Sequence, residues 1–147
     1  IKLLTENPEQ KQKLIDNPEL MPNFLQECIR MISPVMHMRR TTMCETEIGG
    51  QKMGPGEKVV MWYGAANRDP EVFSNPDQFD IERANADKHL AFGIGRHTCI
   101  GKPVALMQLE ESYKQILTRF PNIHMSGDWK VAPNNFVHAI QEMPVKF

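Results

Sequence analysis

No run in this chain approaches the roughly 18 consecutive apolar residues of a membrane-spanning helix. A secretory leader is also missing, because Ile1-Lys2-Leu3-Leu4 has neither an apolar h-region nor a cleavage site. There is no excess of charge of one sign. With 17 Lys and Arg against 18 Asp and Glu, bulk electrostatics argues against a nucleic-acid binder. Cysteine is scarce: Cys28, Cys44 and Cys99 are an odd number, widely spaced, with no CxxC and so no disulfide framework. Free thiols in a reducing compartment are expected, which means a cytoplasmic protein. Cys28 and Cys44 read as buried or half-buried small apolar side chains. Internal repeats and low-complexity segments are absent. What remains is 147 residues, enough for one domain with a core. Ile1 to Leu4 read as the last turn of a helix whose beginning is missing, so the chain is expected to be a piece of something longer.

Two copies of one helix-start signal come first, Asn7-Pro8-Glu9 and Asn17-Pro18-Glu19. Asn caps orphan N–H groups, Pro fits the first helical position, and Glu favours the positive end of the dipole. They predict helices at about Pro8 to Ile15 and Pro18 to Ile32, the second burying Phe24, Leu25, Cys28, Ile29 and Ile32. Ser33-Pro34 ends it. Glu27 and Arg30 stand three apart on that helix, and spacing alone favours an ordinary surface ion pair worth ~0–1 kcal/mol. Val35 to Thr42 is extended, with Met38 and Arg40 on one side and His37 and Arg39 on the other. A hairpin turning at Gly49-Gly50 and a strand at Val59 to Tyr63 follow, together suggesting a small sheet packed beside helices. Gly64 to Lys88 reads as an ordered meander with a helical turn after Asp69, anchored by Val72, Phe73, Phe79 and Ile81. The longest helix is predicted at about Ile100 to Phe120, and strand-like pieces lie around Trp129 to Ala132 and Phe136 to Ile140. The fold class is mainly α with a small β-sheet, α+β.

The stretch Phe92-Gly93-Ile94-Gly95-Arg96-His97-Thr98-Cys99-Ile100-Gly101 carries the chemistry. A phosphate loop needs four residues between Gly and Gly-Lys, followed by Ser or Thr; Gly95 to Gly101-Lys102 has five, followed by Pro103. A dinucleotide fingerprint needs glycine where Thr98 stands. A c-type haem site lacks its second cysteine, and a structural zinc site lacks its second ligand pair. A nucleophilic Cys99 activated by Arg96, the helix start and a base such as His89 or His97 is the serious rival. It leaves Gly93, Gly95 and Gly101 unexplained together. A thiolate ligand to haem accounts for them: N–H groups at a helix start stabilise the thiolate, and glycines let the loop lie against a macrocycle. Phe92 would shield the sulfur, and His97 would reach a carboxylate on the porphyrin edge.

The pattern Phe92-Gly93-x-Gly95-x-His97-x-Cys99-x-Gly101 resembles the haem-binding signature of the cytochrome P-450 family. Glu27-x-x-Arg30 and Arg83 in Phe79-Asp80-Ile81-Glu82-Arg83 resemble that family's structural triad. The resemblance runs along the whole chain, residues 1–147, as the C-terminal haem-binding part of a single cytochrome P-450 domain. It implies Cys99 as axial iron ligand, Arg40 and His97 as partners of the haem propionates, and Phe92, Gly93, Gly95 and Gly101 as the loop around haem b. Met36, Met38, Phe136 and Val137 would lie near substrate. The distal helix, with its acid–alcohol pair for proton delivery, would precede Ile1, so this stretch alone is not expected to turn over substrate.

The implied activity is insertion of one oxygen atom from O2 into a C–H bond of an apolar substrate. Electrons would come from NAD(P)H through a reductase and a ferredoxin, docking at Arg96, Lys102 and Lys114. The text around His37-Met38-Arg39-Arg40-Thr41 and Asn67-Arg68-Asp69 looks like the soluble bacterial branch, and within it like hydroxylases of alkanes, fatty acids and sterol or terpenoid side chains. A non-oxidative or peroxide-using family member and a haem-free thiol enzyme remain the alternatives.

Overall fold

Proline at the first helical position twice sets the course of the N-terminal third. The computed structural model describes residues 1–147. Helix α1 (Lys2–Glu6) is followed by α2 (Pro8–Asp16), a 3-10 turn (Pro18–Leu20) and α3 (Met21–Ile32). The two Asn residues act differently. Asn17 accepts from the Glu19 N–H at 3.3 Å, as a cap should. Asn7 turns back instead, and its amide donates to the Leu3 carbonyl at 2.8 Å, closing α1 rather than opening α2.

Helix α3 buries Phe24, Leu25 and Ile29, while Cys28 and Ile32 are half-buried. Phe24 lies edge-on to Phe79 and Tyr113, with centroids 6.3 and 5.0 Å away. Leu4, Leu14, Met21, Phe24, Leu25, Phe79, Ile81, Leu117 and Ile123 form the core. Each such side chain contributes roughly 1.5–3 kcal/mol by leaving water. The core joins α1, α2 and α3 to the irregular segment and to α5 (Lys102–Arg119). Only Leu117 of α5 is fully buried, and Phe120, where the predicted helix ends, is exposed and packs on Phe147 with ring centroids 4.5 Å apart.

The strands form four separate antiparallel ribbons where one small sheet was expected. β1 (His37–Thr41) pairs with β4 (Lys58–Trp62), His37 opposite Trp62 and Thr41 opposite Lys58. β2 (Thr46–Ile48) and β3 (Gln51–Met53) make the hairpin turning at Gly49-Gly50. β5 (His124–Met125) pairs with β8 (Val145–Lys146), and β6 (Lys130–Val131) with β7 (Ile140–Glu142). Tyr63, expected to end a strand, begins α4 (Tyr63–Ala66), because Gly64-Ala65-Ala66 offers no β-branched or aromatic side chain to continue it. The strand expected around Phe136 to Ile140 starts only at Ile140, as β7. Asn134 Oδ1 takes the N–H groups of Phe136 and Val137 at 2.9 and 2.7 Å, removing the donors a strand there would use.

In the segment after α4 the Asp69 carbonyl accepts from Val72 and Phe73 in the expected turn, and a 3-10 turn follows at Ala86–Lys88. Phe73, Phe79 and Ile81 anchor it; Val72 does not, being 45% exposed. Cys44, expected to be sheltered, is an exposed free thiol.

Candidate functional site

Glu27, Arg30 and Arg83 meet in one buried cluster, as the resemblance implies and unlike the surface pair that spacing alone favours. Glu27 and Arg30 are 0% exposed and Arg83 is 6% exposed. Arg30 donates to both Glu27 carboxylate oxygens, at 2.7 and 2.9 Å, and Arg83 donates to one at 3.1 Å. Arg30 also donates to the carbonyls of Asn67 and Pro76 at 2.7 and 2.8 Å, and Arg83 to those of Ser74 and Gln78 at 2.6 and 2.8 Å. Buried charges need such complete pairing, and here it ties the irregular segment to α3.

The chain then runs into the loop on fixed backbone. The Leu90 N–H donates to Asn67 Oδ1 at 2.6 Å, and the Ala91 N–H donates to His89 Nδ1 at 3.2 Å. Nδ1 being the acceptor, the His89 proton sits on Nε2, which donates to Gln26 Oε1 at 3.0 Å. Burial, with Lys102 nearby, pushes the His89 pKa down to about 4. His89 is therefore a neutral ring with both nitrogens engaged, and it is not a free base for Cys99.

Within the loop, Gly93 donates to Leu90 O at 2.8 Å, Thr98 to Gly95 O at 3.1 Å and Cys99 to Phe92 O at 2.8 Å. Gly93 and Gly95 have φ of +72° and +71°, the left-handed region that suits glycine. A Cβ on Gly93 would also meet the His97 carbonyl at 3.4 Å and the Tyr63 hydroxyl at 3.6 Å. The helix cap is Gly101, so Cys99 stands just ahead of α5 rather than within its first turn.

Cys99 opens onto a cavity of about 1000 Å³. Arg40, Phe92, Gly93 and His97 share its wall, as do Met38, Arg96, Ile29, Tyr63, Ala91 and Leu109. Gly95, Gly101 and the Glu27–Arg30–Arg83 cluster lie off that wall. Ten of its sixteen residues are hydrophobic, and its charged side chains are all basic, none acidic. A soft thiol donor, two guanidinium groups and an imidazole in an apolar setting can hold a thiophilic metal in a flat apolar ligand carrying carboxylates.

Of the residues expected near substrate, Met38 lines this cavity, while Met36, Phe136 and Val137 do not. The Met36 N–H donates to Phe136 O at 2.8 Å, and Val137 bridges Val35. The expected alternation on β1 places Met38 and Arg40 on the cavity and His37 against Trp62 and Phe136, at 4.8 and 6.0 Å between ring centroids. Of the basic residues expected to form a docking patch, Arg96 lies on the cavity wall. Lys102 lies 5.5 Å over the Phe92 ring, and Lys114 pairs with Glu110 at 2.6 Å. Sequence reasoning missed Ile29, Tyr63, Ala91 and Leu109 as cavity residues, and Asn67 and Gln26 as supports.

A family model described as "Cytochrome P450" matches residues 2–146. The chain belongs to the cytochrome P450 family. Among curated P450 relatives, it is 36% identical over 144 residues to "Cytochrome P450-terp" of a Pseudomonas species, covering 98% of this chain and 33% of that protein. It is 39% identical over 142 residues to "Linalool 8-monooxygenase" of Pseudomonas putida, covering 97% of this chain and 35% of that protein. The solved structure of P450BioI in complex with hexadec-9Z-enoic acid ligated acyl carrier protein superposes with a TM-score of 0.95 at 37% identity, over 99% of this chain and 38% of that one. The chain thus spans about a third of the length of the curated P450s it matches. No helix is long and apolar enough to cross a membrane.

Proposed function

We propose that residues 1–147 are the C-terminal, haem-binding part of a cytochrome P450 whose whole chain is a haem-thiolate monooxygenase. The observation that carries this reading is the Cys99 thiol on an apolar cavity whose charged walls are all basic. Haem b fits that chemistry: its iron takes a thiolate, its ring takes apolar walls, and its propionates take cationic donors. When bound, haem supplies the oxidative chemistry in which one atom of O2 enters a C–H bond and the other leaves as water.

Each residue has a separate task. Cys99 would hold the haem iron through its thiolate. Arg40 and His97, both on the cavity wall, would hold the propionates through charge-assisted hydrogen bonds. Phe92, Ala91, Ile29 and Leu109 supply the apolar wall of the cavity onto which the exposed Cys99 opens, the surface that a flat apolar ligand would cover. Gly93 and Gly95 give the loop its left-handed curvature, and Gly101 begins α5 close to the sulfur. Glu27, Arg30 and Arg83 hold the segment leading into the loop. Met38 forms part of the substrate wall, with Met36, Phe136 and Val137 setting the position of β1 behind it.

An apolar, elongated substrate suits the lining, and the names of the relatives point the same way. One is a linalool monooxygenase, and another relative was solved with a fatty-acyl chain on its carrier protein. Electrons are assigned to NAD(P)H by way of a reductase and a ferredoxin, with exposed Arg96 contributing positive charge beside the loop. Three free thiols suit the reducing cytoplasm.

The test is a reduced carbon-monoxide difference spectrum of the full-length protein and of Cys99→Ala. A thiolate-type Soret band that disappears in the variant is expected. A histidine-type band indifferent to the substitution overturns the reading. Protein that stays colourless after haem supplementation, yet is rapidly alkylated at Cys99, favours the thiol-enzyme alternative instead.

A further inference from the structure

Two buried polar side chains outside the Glu27–Arg30–Arg83 cluster grip successive N–H groups of the backbone that leads into the Cys99 loop. Asn67 is 0% exposed and uses every polar group it has. Its N–H donates to Tyr63 O, its carbonyl accepts from Arg30 at 2.7 Å, its amide donates to Ser33 Oγ at 2.8 Å, and its Oδ1 accepts from Leu90 at 2.6 Å. His89 is 6% exposed and grips the next residue, accepting from Ala91 at Nδ1, while its Nε2 is tied to Gln26 on α3 at 3.0 Å. The register continues without a gap. Gly93 donates to Leu90 O, and the N–H of Cys99 itself donates to Phe92 O, each at 2.8 Å.

We infer that Asn67 and His89 are positioning residues for Cys99, two clasps that fix the thiol on the cavity wall by fastening Leu90 and Ala91 to α3. Neither touches the cavity, so they act through the loop. The clasps are not equivalent. Asn67 is locked to α3 through Arg30 and Ser33, and its loss leaves several buried groups unpaired. The His89 clasp hangs on one side chain, Gln26, which is half-buried and can be removed without disturbing the loop's own sequence. Burial keeps the His89 ring neutral, which is what an Nδ1 acceptor requires.

The role for haem ligation rests on the proposed function, so the test has two readouts on the full-length protein. The first is hydrogen exchange at Leu90, Ala91 and Cys99 in cofactor-free protein. The second is the fraction of thiolate-type carbon-monoxide spectrum in haem-loaded protein. Gln26→Leu and His89→Leu are expected to speed exchange at Ala91 and Cys99 roughly tenfold or more, the scale of one lost hydrogen bond. Both should lower the thiolate-type fraction, while His89→Asn, which keeps an acceptor for Ala91, restores both. Leu14→Ala, a core truncation remote from the loop, serves as a control of comparable lost stability and should leave the spectrum unchanged. The inference is overturned if exchange at Ala91 and Cys99 in Gln26→Leu matches wild type, or if Leu14→Ala lowers the thiolate fraction as much as His89→Leu. If wild type lacks a thiolate spectrum but the exchange pattern holds, the haem reading fails and the clasps stand.

Discussion

Replacing Glu27 by Gln changes one oxygen to an NH2 group and removes one charge, and the geometry makes that small change severe. The carboxylate accepts from Arg30 at two atoms, from Arg83 and from the Asp80 N–H at 3.1 Å. Gln keeps one acceptor oxygen and turns donors toward a guanidinium that has only donors. Two cations, 0% and 6% exposed, then lack a counter-ion. Breaking a buried pair from one side costs about 3–5 kcal/mol, against a total stability of about 5–15 kcal/mol for a domain. Removing both charges with Glu27→Leu and Arg30→Met does not restore the loss. Arg30 also satisfies the carbonyls of Asn67 and Pro76, and Arg83 still lacks its carboxylate. Urea unfolding of the full-length protein, followed by far-UV circular dichroism, reads both changes from the midpoint and slope. A loss below about 1 kcal/mol for Glu27→Gln is the magnitude of an exposed pair and refutes the reasoning.

Gly93→Ala is expected to cost about 1–2 kcal/mol, from φ of +72° and a Cβ 3.4 Å from the His97 carbonyl. Gly101→Ala, at φ −80°, is milder, and paired melting curves read the difference. With a disulfide reagent near pH 8, exposed Cys44 should react at least roughly a hundredfold faster than Cys28. Burial pushes the Cys28 thiol up to about 12, so mass mapping should find it unmodified while the protein is folded. For His89, the folded pKa of about 4 lies below the ordinary 6.5, so the unfolded chain binds the extra proton first. Stability is complete above about pH 6.5 and falls as pH drops toward 4, by roughly 3 kcal/mol over that window. His89→Asn should flatten this slope in urea midpoints measured across the same range.

Legibility followed the range of each interaction. Pro8 and Pro18 mark helix starts because first-turn chemistry is local, and the strands flanking Gly49-Gly50 pair for the same reason. The Cys99 loop was readable because its glycines, His97 and Cys99 fall in one short stretch. Errors appeared where a side chain reached back into the backbone. Asn7 capped the preceding helix, and Asn134 took the donors of an expected strand. Neither choice has a sequence signal, since Asn supports both. The single small sheet became four ribbons because strand partners are set by tertiary packing and not by periodicity.

The charged cluster marks where local reading stops. Spacing could bring Glu27 to Arg30, yet it also made the pair look superficial, because burial depends on Arg83, which lies 56 residues away in sequence. The resemblance to a family supplied that third partner; periodicity within a window of 11–18 residues did not. Gln26 to His89 spans 63 residues and Asn67 to Leu90 spans 23, so both clasps lie beyond any such window. What identifies them is an accounting of buried polar groups. An Asn that is wholly buried in an irregular segment must find partners for its amide and its carbonyl oxygens, or unfold the segment that carries it. Asn67 finds them on α3 and on Leu90, and so the same hydrogen bonds that make its burial tolerable also determine where the chain enters the loop that presents Cys99.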